Sequence, residues 1–72
     1  MTATKTPAEI AAALTPAQVR ALREPNKCTR QEWGDLVAAE RTWGAMTEMD
    51  FGVWHRTPFG RAILAAVNKV QQ

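Results

Sequence analysis

Apolar residues return at intervals of three and four along four stretches of the chain, the spacing that lines one face of a helix. Ile10 and Leu14 mark the first stretch, Val19 and Leu22 the second, and Trp33, Leu36, Val37 and Trp43 the third. Phe59, Ile63, Val67 and Val70, with alanines between them, form the fourth and clearest stripe. Threonines punctuate these stretches. Thr6-Pro7-Ala8-Glu9, Thr15-Pro16-Ala17-Gln18 and Thr29-Arg30-Gln31-Glu32 all have capping-box spacing. In that motif the hydroxyl accepts from the third helical amide while Glu or Gln reaches back to the cap. Proline at the first helical position gives up no hydrogen bond, because that amide has no partner within the helix. Thr57-Pro58 repeats the start but has Gly60 where the box needs Glu or Gln. These signals predict helices over residues 7–14, 16–23, 30–42 and 58–70, with Pro25 closing the second and Gly44 the third.

Between the third and fourth helices the period changes. Residues 45–49 and 53–57 read as two short strands around Asp50-Phe51-Gly52. The letters leave open which alternate set faces inward. The expected fold is therefore mainly α with a two-stranded β-hairpin, in the order α-α-α-β-β-α.

With 72 residues, 46% of them hydrophobic and 22% charged, the chain suits one small globular domain rather than a disordered tail or a large enclosed cleft. Residues 1–5 read as a frayed end and residues 6–72 as the domain. Cys28 is the only cysteine, so no intrachain disulfide is possible. The longest apolar runs, residues 10–14 and 62–67, are too short to span a bilayer, and Pro7 and Glu9 spoil a signal peptide. A soluble cytoplasmic protein without membrane contact is expected.

Gly44-Ala45-Met46-Thr47-Glu48, the turn, and Trp54-His55-Arg56-Thr57-Pro58-Phe59-Gly60-Arg61-Ala62-Ile63-Leu64 resemble the second half of small winged-helix domains. Such domains, found in bacterial regulators and phage-borne proteins, carry a glycine after the third helix, a two-stranded wing and a Thr-Pro-x-Gly-Arg start to the closing helix. The resemblance covers residues 15–70 and implies a winged-helix-like architecture; winged helices bind duplex DNA, other proteins or their own copies. A DNA-binding member places its third helix in the major groove. The implied function is a small DNA-associated regulator acting by occupancy. Arg30, Gln31 and Arg41 would contact DNA from the third helix, and Arg56 and Arg61 from the wing and closing helix. A symmetric homodimer would double the phosphate contacts.

Charge is unevenly distributed. Residues 1–28 hold four basic and two acidic side chains, residues 29–50 two and five, and residues 51–72 three and none. Glu32, Asp35 and Glu40 on the third helix would oppose phosphate approach. They suggest an alternative: a protein-binding module that occludes a host or partner protein. Glu32, Asp35 and Glu40, with Trp43, Met46 and Trp54, would form its interface, and Glu48 and Asp50 would extend the acidic surface.

Catalysis has little to build on. Cys28 and His55 are the only residues suited to a nucleophile–base pair, and no oxyanion-hole motif accompanies them. Paired metal ligands and a phosphate-cradling loop are missing from the sequence, so no metal, cofactor or small-molecule substrate is expected. Trp33 is expected in the core. Trp43 and Trp54 flank the hairpin, where they can pack on each other, on the core or on a partner. Gly34, inside the third helix, predicts either close approach of another helix or a cap displaced along the chain.

Overall fold

The computed structural model describes residues 5–70 and, of Val70, only the backbone. Of the frayed end expected at residues 1–5, all but Lys5 therefore lies outside the described residues. The elements run α1 (Pro7–Ala13), α2 (Pro16–Arg23), α3 (Arg30–Trp43), β1 (Thr47–Asp50), β2 (Val53–Arg56) and α4 (Pro58–Val70). The order is the predicted one. Helix boundaries differ from the sequence expectation by one residue at the ends of α1 and α3. None of the described helices is long and apolar enough to cross a membrane.

All three capping boxes form. Thr6, Thr15 and Thr29 accept from the amides of Glu9, Gln18 and Glu32, and each of those side chains accepts in return from the cap's backbone N–H. The Thr6 backbone N–H beside Glu9 holds that carboxyl below its ordinary value. At the fourth start Thr57 Oγ1 accepts from the Gly60 amide at 3.0 Å and donates to the Ala45 carbonyl at 2.9 Å. This cap works without a box because its hydroxyl also ties the helix to the chain ahead of β1.

The stripes of the four helices meet in one core, in which Ile10, Leu22, Leu36, Met46 and Ile63 are fully buried. Helix α1 packs on α4 and α2 on α3. Met46 belongs to this core, with no exposed surface, which corrects its assignment to a protein interface. An unbranched side chain just ahead of a strand reaches between the helices more readily than a stiff β-branched one.

The hairpin pairs antiparallel with Met49 opposite Trp54 and Asp50 opposite Val53. Phe51 and Gly52 form the loop at φ 51° and 76°, positive at both central positions as a type I′ turn requires. Thr47, Trp54 and Arg56 turn inward, whereas Glu48, Asp50, Val53 and His55 face solvent. Three contacts fix the hairpin. The Asn26 amide donates to the Trp54 carbonyl and accepts from its N–H, both at 2.9 Å, covering the outer edge of β2 as another strand would. Trp54 also packs on Trp33, with ring centroids 4.7 Å apart and planes tilted by 51°. The ring partner of Trp54 is Trp33 from the start of α3, itself packed against the core, while Trp43 packs partly buried against the core. Third, Glu40 Oε2 accepts from the Met46 amide, the Thr47 amide and the Thr47 hydroxyl, each at 2.9 Å.

Gly60 is buried against the backbone where the hairpin begins. A Cβ there would collide with the Met46 carbonyl oxygen. Gly60→Ala should therefore destabilise the fold by about 3 kcal/mol, because backbone rather than a side-chain tip must move. Thermal melts followed by circular dichroism should show a drop of roughly 12–24 °C.

Candidate nucleic-acid interface

The exposed positions of α3 are Arg30, Gln31, Gly34, Ala38, Arg41 and Thr42. At 3.6 residues per turn they fill roughly 120° of the helix circumference, a single outward stripe. Arginines stand at its two ends, an amide beside the first, and glycine and alanine between them. The structure thus brings Arg30, Gln31 and Arg41 together on one face.

Glu32 and Glu40 do not share it, and Asp35 lies about 20° beyond Thr42, at its edge. Glu32, Asp35 and Glu40 are all half-buried, which corrects the expectation that they project along the exposed helix. Glu32 completes the capping box with one oxygen, and its other lies 3.2 Å from Arg20 Nε. Glu40 spends one oxygen on the start of β1. The sequence alone counts these carboxylates against phosphate; the helical spacing turns Glu32 and Glu40 away from the stripe and leaves Asp35 at its edge. Lone surface ion pairs contribute little stability, so the Arg20–Glu32 pair matters mainly for where it holds the carboxylate.

Gly34 corrects a second expectation. Neither a neighbouring helix nor a displaced cap explains it, because a Cβ at this position would meet nothing within 4 Å and the helix begins at Arg30 as drawn. An open glycine in a helix interior leaves backbone accessible to whatever approaches from outside.

Arg56 and Arg61 form a second basic group, at the junction of α2, β2 and α4. Arg56 Nη1 donates to the carbonyls of Leu22 at 3.3 Å and Arg23 at 2.9 Å, closing the C-terminal end of α2 with a cation. Arg61 Nη1 donates to the Arg56 carbonyl at 3.0 Å, and Arg23 Nη2 donates to Asn68 Oδ1 at 2.7 Å. Arg56 is half-buried and serves the fold, whereas Arg61 is exposed. Between the α2–α3 turn and β2 lies a cleft of about 450 Å³ bordered by Asn26, Lys27, His55 and Arg56.

Cys28 Sγ contacts the Pro25 carbonyl at 3.7 Å, and His55 lies on the solvent face of β2. Among the described residues no group of three or more His, Cys, Asp or Glu side chains is placed to hold a metal ion. Trp43 and Trp54 are half-buried and Met46 lies in the core, so of the apolar residues assigned to the alternative protein interface only the two tryptophans reach the surface.

Two residues of note, one that holds β2 and one at the hairpin tip, escaped the sequence reading. Asn26 gave no signal, since a turn asparagine can bond anywhere nearby. Phe51 gave one: it stands where a left-handed turn position favours Asn, Asp or Gly. No family model, curated protein or solved structure matches the chain.

Replacing Arg56 with Ala removes a cation from two carbonyls and should lower the free energy of unfolding by about 2 kcal/mol, measured by urea titration. Gly34→Ala should instead raise it by about 1 kcal/mol, since the added methyl meets only solvent.

Proposed function

We propose that this chain is a small DNA-associated regulatory protein of the cytoplasm, acting by occupancy of duplex DNA with no catalytic step. Its third helix serves as the recognition helix of a winged helix-turn-helix. The observation that carries this reading is the outward stripe of α3, basic and amide at its ends and small at its middle, with Glu32 and Glu40 turned away and only half-buried Asp35 at its edge. Arg30 and Arg41 reach phosphates or guanine edges, and Gln31 suits adenine. Gly34 and Ala38 let the helix backbone sit close to the groove floor. Exposed Arg61 adds a flanking phosphate contact, while Arg56 acts by holding β2 to α2. A single free cysteine, with no intrachain disulfide possible, suits a reducing compartment.

Occlusion of a basic partner by an acidic third helix has less support. Glu32 and Glu40 are bonded within the fold, and Met46 is inaccessible.

Fluorescence anisotropy with mixed-sequence duplex at two salt concentrations tests the proposal. Binding should weaken steeply with salt, and Arg30→Glu or Arg41→Glu should reduce affinity roughly tenfold or more each. Gly34→Leu keeps every charge yet should also weaken binding, by holding the helix off the groove. Undetectable binding at low salt, or full affinity in the Arg30→Glu/Arg41→Glu double variant, would overturn the reading.

A further inference from the structure

The two edges of the hairpin differ. On β2, Trp54 spends its backbone N–H and carbonyl on the Asn26 amide rather than on β1. Met49 stands directly opposite Trp54, so theirs is the kind of register pair without ladder hydrogen bonds. The Met49 N–H and carbonyl therefore point off the far side of β1. Among the described residues the sheet has two strands, and past the Thr47 amide, which Glu40 holds, nothing bonds to β1 on that side. Glu48, Met49 and Asp50 are all exposed. One edge is covered and the other is open.

An open edge is a template for a further strand, and charge narrows which strand fits. Glu48 and Asp50 lie two residues apart on the solvent face and flank Met49. Neither carboxylate has an ion pair or a side-chain hydrogen bond among the described residues, and no lysine or arginine occurs between Arg41 and Arg56. A second copy fits poorly. Antiparallel pairing of two β1 strands about Met49 sets Glu48 of each against Asp50 of the other, and like charges directly opposite are destabilising. A nucleic-acid backbone or an anionic lipid surface would likewise meet two uncompensated carboxylates. The same end of the hairpin presents apolar surface, with Phe51 97%, Met49 53% and Val53 45% exposed. Phe51 stays there at φ 51°, a conformation costly for a bulky residue.

We propose that the free edge of β1 takes an extended basic segment of a partner protein as a third, antiparallel strand. The partner residue opposite Met49 exchanges both backbone hydrogen bonds with it. Basic side chains on either side of that residue face Glu48 and Asp50, and Phe51 offers apolar contact at the end of the strand. A strand this short makes a small interface, so binding is weak, with Kd on the order of 0.1–1 mM. The surface uses none of the α3 residues of the DNA reading and stands apart from it, and its test contains no DNA.

The probe is the end-capped pentapeptide Thr-Lys-Val-Lys-Thr, titrated into the isotope-labelled full chain up to about 5 mM. Amide NMR shifts should centre on Met49, and exchange of the Met49 N–H with solvent should slow roughly fivefold near saturation. Methylating the valine nitrogen removes the bond to the Met49 carbonyl and should weaken binding about fivefold. Thr-Glu-Val-Glu-Thr should not bind. The exposed double variant Glu48→Lys/Asp50→Lys should melt as the wild type does, lose the basic peptide and gain the acidic one. Should it fail to fold by circular dichroism, Glu48→Gln/Asp50→Asn takes its place and should lose the basic peptide. No binding at the highest concentration, equal binding of both peptides, or shifts that bypass β1 would each overturn the proposal. So would affinity unaltered by the charge change or by valine methylation. Met49 exchange that slows with protein concentration alone would assign the edge to a second copy instead.

Discussion

The backbone at Met46 is the point on which the arrangement depends. Its amide donates to Glu40 at the end of α3, and its carbonyl accepts from the Thr57 amide at 3.0 Å and touches Gly60 at the start of α4. Its side chain fills the centre of the core. A residue held at its donor, its acceptor and its side chain has one position available. That position sets where β1 leaves α3, and hence where the hairpin lies. An unpartnered amide or carbonyl at such a depth would be costly, so the Glu40 carboxylate, the Thr57 cap and the bare Cα of Gly60 form one interdependent solution.

Most of the fold was legible because its signals are local. A threonine-proline start or a capping box needs only the next three residues, and an apolar stripe needs only its own helix. Gly44 and Gly52 are similarly local, each marking positive φ. The inward face of the hairpin was not legible, because it depends on Asn26 and Trp33, more than twenty residues away in the chain. Gly60 illustrates the boundary between the two. Its place at the start of a helix was visible, but the reason no other residue fits lies in the carbonyl of Met46.

The candidate site was legible in its basic residues and misread in its acidic ones. Arg30, Gln31 and Arg41 fall on one side of α3 by helical spacing alone. Applying the same spacing to Glu32 and Glu40 puts them among the buried positions, yet a charge count treats every carboxylate as exposed. Carboxylates survive there because caps and strand amides supply the hydrogen bonds that water would otherwise provide. Arg56 shows the converse: a basic residue in a plausible DNA-facing segment is occupied with the end of α2. Phe51 was overlooked because turn residues are usually read for where they bend the chain rather than for what they present.

The sorting of charge across α3 has an electrostatic consequence. Summed along its length the helix is slightly acidic, with two arginines against three carboxylates, but Arg30 and Arg41 lie outward, Glu32 and Glu40 inward, and Asp35 at the edge between them. It therefore carries a moment across its width, perpendicular to the peptide dipole along its axis. A field from a dense row of like negative charges exerts a torque on such a body within about a Debye length, roughly 8 Å at physiological ionic strength. On the proposed DNA reading, this moment favours encounters that begin stripe-first.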